Sequence, residues 1–413
     1  MRVVYERCCG INVHKQTLVA CAVVPGAEGQ PVKESRTYGT MTEDLEALAG
    51  WLSGLGVTHV TMESTGVYWK PVYNLLDGRF AILVVNAEHI KALAGRKTDV
   101  QDAEWLAELL RHGLLQGSFI PSEELRALRD LTRYRTKLGD ERKSEVNRVH
   151  KVLEDANIKL ASVASDVMGV SARARLAELI AGQTDSATLA ALAKGRLREK
   201  QALLQKALSG RVRSHHRFML AQHLSHIDFL DEAMAQLDQE IEEQMRPFSA
   251  VLARWDTLPG INRRLAEIIV AEIGVDLEPF ANAEQLASWA GMCPGNNASG
   301  GKRRSGGTRR GSPWLRRALI EAAHGAAHTK HKYFQALYRR LAARRGKQRA
   351  AVAVGHSLLV TGYYLITRQT TYHDLGGNYF DERDREATKH RAVHRLEGLG
   401  YRVQLLPAAA PAG

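Results

Sequence analysis

The first 118 residues constrain the fold most, because two hydrophobic periodicities alternate along them. Cys8 to Pro25 (CCGINVHKQTLVACAVVP) is rich in Val, Ile, Leu and Thr and is punctuated by Val24-Pro25-Gly26. It reads as two short strands or one long one. Pro31 to Tyr38 offers a more polar strand. Thr42 to Leu55 has helical spacing, with Thr42 as a possible cap and Leu45, Leu48, Leu52 and Leu55 on one face. HVTME (His59 to Glu63) is a short strand ending on a carboxylate, and Gly66 to Leu76 has a helical pattern. FAILVV (Phe80 to Val85) is apolar throughout, as suits a strand covered on both faces. A helix follows from Lys97. Such alternation predicts an α/β layered domain over residues 1–118.

That last helix, KTDVQDAEWLAELLRHG, carries the first chemical signal. Asp99 and Asp102 lie three residues apart and share a helix face, above Leu106, Leu109 and Leu110. Two carboxylates so placed could hold a hard divalent cation if other carboxylates come to meet them. Equally, they are the acidic first turn that a helix dipole favours. Glu63 ends a strand, where ligand sites gather in open α/β sheets.

The 413 residues suffice for two or three domains. A formal net charge of +12 suggests a polyanionic partner, usually nucleic acid. Cys8, Cys9, Cys21 and Cys293 form no CxxC pair, which argues against a zinc ribbon or a disulfide framework and suits a reducing cytoplasm. No apolar signal core stands near the start, and no stretch reads as a membrane span. A cytoplasmic, nucleoid-associated protein is expected, with no membrane partner.

Residues 122–160 read as wholly helical. Leu125, Leu128, Leu131, Leu138, Val146, Val149 and Leu153 recur near heptad spacing, and residues 171–245 continue in the same style. A long antiparallel hairpin or coiled coil over 119–247 fits. Arg126, Arg129, Arg133, Arg135, Arg142, Lys143 and Arg148 could follow a phosphate backbone or form a solvated face. In DTLPGINRRLAEIIVAEIG (256–274), Leu-Pro-Gly-Ile between helical segments resembles a helix–hairpin–helix, with Asn262 where a second Gly is usual. A plain helix corner is the alternative.

The stretch from Trp289 to His324, WAGMCPGNNASGGKRRSGGTRRGSPWLRRALIEAAH, is the most unusual. A Gly-rich loop bearing Lys302, Arg303, Arg304, Arg309 and Arg310 can approach phosphates closely. It is not a Walker loop. Ser299 or Ser305 beside those cations could attack a phosphodiester, although a polar loop without chemistry has the same composition. Ser312-Pro313 reads as a helix cap followed by a first-turn proline. Residues 313–370 look helical and 371–413 peripheral.

The segments GINVHKQTLVA, MESTGVYW, NAEHIKALAGRKTDVQDAEWLAELLRHG, LPGINRRLAEIIVAEIG and the serine-loop block, taken in order, resemble the DEDD transposases of the IS110 family of bacterial insertion sequences, in its IS1111 branch. The resemblance runs over most of residues 8–370. It implies a RuvC-like α/β domain of the RNase H fold, a helical coiled-coil region, and a mainly α C-terminal transposase domain over 248–370. It further implies four acidic residues binding Mg2+ or Mn2+, and a serine that attacks DNA to form a covalent intermediate. A structured non-coding guide RNA, the bridge RNA, and a homo-oligomer built as a dimer of dimers complete the implied assembly. By position, Glu63, Asp99 and Asp102 match the last three acids. Asn12 in GINVHK stands where the first Asp is expected, which should lower metal affinity and water activation. Ser299 best matches the nucleophile and Ser305 is the fallback. The resemblance thus predicts a recombinase split over two domains, impaired or inactivated by Asn12. A water-using, Holliday-junction-type metal nuclease and a non-catalytic nucleic-acid-binding protein are the rivals.

Overall fold

Cys8–Val13 form β1 and Thr17–Pro25 form β2. They run antiparallel, joined by a tight turn in which the His14 N–H donates to Thr17 O at 2.9 Å. The 8–25 run is therefore two strands. β3 (Pro31–Gly39) pairs antiparallel with β2, while β4 (His59–Glu63) and β5 (Ala81–Val85) add in parallel on the other side of β1. The mixed sheet has the order β3-β2-β1-β4-β5. Parallel neighbours need crossovers. The helices α1 (Thr42–Gly54) and α2 (Trp69–Leu76) lie in those connections, and α3 (Asp99–Arg111) follows β5. The computed structural model describes residues 2–26, 30–64, 66–86, 98–294, 298–299, 302–303, 307–308 and 311–406.

Alternation along the strands sorts the two faces. Cys9, Ile11 and Val13 of β1, with Val60 and Met62 of β4, pack on Leu45, Leu48 and Leu52 of α1 and on Val72 and Leu76 of α2. Cys8 of β1 and Val19, Cys21 and Val23 of β2 pack instead on Ala103, Ala107 and Leu110 of α3. Gly10 makes that second face possible. A Cβ there would stand 2.3 Å from Ala103 O and 2.4 Å from Ala107 N, so its absence lets α3 lie directly on β1.

The chain divides into two compact units, Met1–Ile120 and Pro121–Gly413. In the second, α4 (Glu123–Asp155) and α8 (Ser214–Met245) run antiparallel, since Arg135 pairs with Asp238, Arg142 with Asp231 and Asp155 with His216. They are not one uninterrupted hairpin, as the sequence suggested. Residues 156–213 insert α5 (Val170–Ala181), α6 (Ser186–Ala191) and α7 (Gln201–Leu208), and Leu160, Leu176, Leu189 and Leu204 of this insert join Val149 and Leu153 of α4 and Leu220, Leu224 and Ile227 of α8 in one core. The buried stripe of α4 also departs from the expected leucines, with Thr132 and Glu145 buried where Leu131 and Val146 were expected. Thr132 satisfies its hydroxyl on Leu128 O (2.9 Å), and Glu145 is held by His223 (2.8 Å) and by Arg148. Buried polar groups persist when hydrogen-bonded.

Beyond α8 come α9 (Ser249–Asp256), α10 (Arg263–Ile273), α11 (Ala283–Trp289) and a two-residue ribbon, β6 (Ala298–Ser299) with β7 (Lys302–Arg303). Then follow α12 (Pro313–His328), α13 (Tyr333–Arg345), α14 (Lys347–Thr367), α15 (Tyr379–Arg383) and α16 (Arg385–Glu397). From the sequence, no stretch is expected to be long and apolar enough to span a membrane. α14 corrects this, being long and apolar enough by length and composition. It nevertheless packs against α9, α11, α12 and α13, with Gly362 making room for the Trp255 indole. A helix surrounded in this way is apolar because it is the centre of a core.

Candidate active site

The face covered by α3 gathers the predicted acidic positions. Asn12 is one residue past the paired Ile11 and Met62, so the parallel register brings it level with Glu63 at the end of β4. Met62 and Val60 face α1 and α2, so alternation turns Glu63 to the α3 side along with Asn12. α3 begins at that edge. Thr98 caps it by accepting from Gln101 N at 3.3 Å, which sets Asp99 and Asp102 in its first turn.

The Asn12 amide donates to Asp99 Oδ1 at 3.5 Å, a long hydrogen bond. His14 Nε2 lies 3.2 Å from the same oxygen. His14 belongs to the GINVHK segment, and the period of two places it on the strand face of Asn12, a signal already present in the sequence. Asp99 is exposed, and Glu63 and Asp102 are half-buried. The donors are oxygens of the kind a hard divalent cation takes, so they fit Mg2+ or Mn2+ in type. They are not drawn tightly together, because the ligand atoms of Glu63, Asp99 and Asp102 do not all lie within 4.8 Å of one another. Where an Asp would set two anions side by side, Asn12 offers Asp99 an N–H.

Among the described residues, the one compact His/Cys/Asp/Glu set is Asp155, His215 and His216. Its hydrogen bonding opposes ligation. His216 Nδ1 accepts from Arg213 N at 3.1 Å, so the proton sits on Nε2, which donates to Asp155 at 2.7 Å.

In the second unit, Ser299 stands opposite Lys302 in the β6–β7 ribbon. The loop is anchored at both ends. Pro294 bridges to Thr308, Arg316 donates to Thr308 Oγ1 (2.7 Å) and Gly291 O (2.8 Å), and Gly311 backs onto Ala290. Arg304, Ser305, Arg309 and Arg310 lie outside the described residues. The expected Ser312 cap and first-turn Pro313 are present. Ser312 accepts from Leu315 N at 3.3 Å and donates to Glu272 at 2.9 Å.

Three cations of the α4 row are paired within the fold. Arg133 binds the buried Glu272 with both arms (2.6 and 2.8 Å). Arg142 is held by Asp231, and Arg135 by Asp238 at 2.9 Å. A phosphate would have to displace a bidentate carboxylate at each. Lys143 is exposed. The 256–274 turn also faces inward. Gly260, at φ +86°, abuts the backbone of α12 at Ala322 and Ala326, and Asn262 caps α10 by accepting from Leu265 N (3.0 Å). That is the geometry of a helix corner.

Two family models match the chain. One, described as "Transposase" and of the DEDD, IS110 type, matches residues 9–158. The other, described as "Transposase IS116/IS110/IS902 family", matches residues 253–339. The chain is 24% identical over 324 residues to a "Probable family 20 transposase" of Pseudomonas aeruginosa, covering 76% of this chain and 85% of that protein. It is 31% identical over 146 residues to the "Transposase for insertion sequence element IS1111A" of Coxiella burnetii, covering 34% of this chain and 40% of that one. The first match takes in the β1, β4 and α3 positions above, the second the serine ribbon, and together they span more than half of the sequence. The chain belongs to the IS110 family of insertion-sequence transposases, enzymes that cut and rejoin DNA.

Proposed function

We propose that this transposase breaks and rejoins DNA through a serine–DNA intermediate. Glu63, Asp99, Asp102 and Asn12 would hold the divalent metal, and Ser299 would be the nucleophile. The observation that supports the reading is the 3.5 Å approach of the Asn12 amide to Asp99 in the first turn of α3, with Glu63 level with Asn12 on the neighbouring strand. A bound Mg2+ or Mn2+ would supply charge stabilisation on the phosphate. The chain's own groups do the rest. The Ser299 hydroxyl loses its proton to solvent and its oxygen bonds to phosphorus, while the leaving strand oxygen departs and takes up a proton. Lys302 and Arg303 beside it, with Arg304, Arg309 and Arg310, would neutralise phosphate charge.

Asn12 weakens the site, because a neutral amide oxygen replaces an anion. This favours an impaired enzyme and keeps a second reading in play, that of a nucleic-acid-binding protein without cleavage. The family resemblance further proposes guidance by a structured non-coding RNA of the element and action as a dimer of dimers.

The test is covalent trapping and strand cleavage of element-end DNA with the element's RNA and Mg2+. It compares the wild type, Asn12→Asp, and Asn12→Asp with Ser299→Ala. The proposal expects an adduct that strengthens with Asn12→Asp and vanishes with Ser299→Ala. Cleavage without adduct would establish a water-using nuclease, and no cleavage in any form would leave a binding protein.

A further inference from the structure

One exposed positive patch of the described second unit takes no part in the chemistry above. It sits where α13 turns into α14. Arg339, Arg344, Arg345, Lys347 and Arg349 crowd this corner, all exposed, on either side of Gly346 at φ +83°. Only the first of these lies inside the matched family segment, which stops at residue 339.

Three observations separate this corner from an ordinary solvated face. First, among the described residues none of the five is paired with a carboxylate, whereas Arg133, Arg135 and Arg142 of α4 all are. Second, no Asp or Glu occurs between Glu321 and Asp374, so this stretch carries no counter-charge of its own. Solvated surfaces normally intersperse both signs. Third, Lys347 and Arg349 stand in the first turn of α14, where the helix dipole disfavours cations, and no acidic residue offsets them there. Arg344 and Arg345 suit the end of α13, but Lys347 and Arg349 oppose the dipole of α14, and an external anion would relieve this. Elsewhere α13 packs on α12, α14 and α15, and its Arg340 lies 4.0 Å from Asp384.

We infer that the α13–α14 corner is a sequence-independent contact for the phosphate backbone of duplex DNA, distinct from the serine loop. The inference rests on DNA being the substrate. Its role would be to hold the duplex while other groups act, since backbone contacts position and carry no sequence information.

The test is fluorescence anisotropy of the full chain with duplexes of about 30 bp and two unrelated sequences, over a salt series. The triple variant Arg344→Gln, Arg345→Gln, Lys347→Gln removes three cations from an exposed surface. A matched variant (Arg344→Lys, Arg345→Lys, Lys347→Arg) keeps the charge. Each lost phosphate contact lowers the log–log salt slope by about 0.9, so the Gln variant should lose roughly 2–3 units of slope and on the order of 10²-fold in affinity near 0.1 M salt, equally for both duplexes. The charge-keeping variant should retain both, and the melting temperature should not fall.

An unchanged slope and affinity overturns the inference. So does a loss confined to duplex RNA or to anionic vesicles with DNA binding intact. If the wild type itself binds no duplex DNA while remaining folded, the functional reading fails and the corner with it. Intact DNA binding in Ser299→Ala separates the contact from the chemistry.

Discussion

Replacing Glu272 by Ala should be among the most destabilising single changes in the second unit. Its carboxylate is buried to 1% of its free exposure. It accepts from Arg133 Nε (2.6 Å) and Nη2 (2.8 Å) and from Ser312 Oγ (2.9 Å), and so ties α10 to α4 and to the start of α12. Arg129, which also donates to Ala271 O (2.9 Å) and to the carbonyl of Glu272, is pushed down to about 10 by burial, with Glu272 opposing that shift. Without Glu272, Arg133 loses its bidentate counter-charge, and Arg129 is left with less, Asp130 remaining, in a largely buried site. Removing one partner of a buried pair costs about 3–5 kcal/mol. For a unit of this size, about 2 °C or somewhat more per kcal/mol gives a fall of roughly 6–12 °C in the melting temperature, read by calorimetry. The mechanism makes a sharper demand through a double-mutant cycle. Glu272→Met combined with Arg133→Met should recover a large part of the loss, because the second change removes one of the stranded charges. If the two losses simply add, or if Glu272→Ala costs under about 1 kcal/mol, the reasoning fails.

Four further outcomes are expected. Gly10→Val should drive α3 off β1, since even a Cβ would meet Ala103 O at 2.3 Å; the first unit should lose several °C of stability, and Asn12→Asp should then no longer restore cleavage. Asn12→Asp alone should lower the melting temperature without metal, by setting a second carboxylate against Asp99, and raise it with Mg2+; no Mg2+ dependence would speak against a metal site there. Burial pushes the Cys8 thiol up to about 12 and raises Cys9 and Cys21, so alkylation of native protein near pH 8 should reach Cys293 alone, with the other three labelled only on unfolding, as peptide mapping would show. Asp140 is held below the usual carboxylate range by the hydrogen bond from Arg317, and Asp155 by that from His216, so both contribute stability above about pH 4 that is lost as pH falls through their lowered folded values. The paired Asn variants should therefore flatten the acid limb of a melting-temperature profile below about pH 4.

Some features were determined by the sequence alone, because they depend on neighbours along the chain. Alternating strands and helices over residues 1–118, the acidic first turn at Asp99 and Asp102, and the Ser312-Pro313 helix start are products of local periodicity and capping, and all appear in the structure. Other features needed the tertiary structure. The spacing of Arg133 and Arg142 is equally good for a phosphate backbone and for an intramolecular ion pair, and only the antiparallel approach of α8 and the arrival of α10 show the carboxylates that claim them. Gly260 has the sequence of a phosphate-binding turn, but α12 occupies the space in front of it. Glu145 breaks the leucine stripe of α4, and nothing local foretells that His223, 78 residues later, will satisfy it. The approach of Asn12 and His14 to Asp99, with Glu63 level with Asn12, likewise depends on the parallel register of β1 with β4 and on Gly10 admitting α3. Local sequence sets which face a side chain takes; which partner covers that face is decided by contacts between distant segments, and these exist only once the chain has folded.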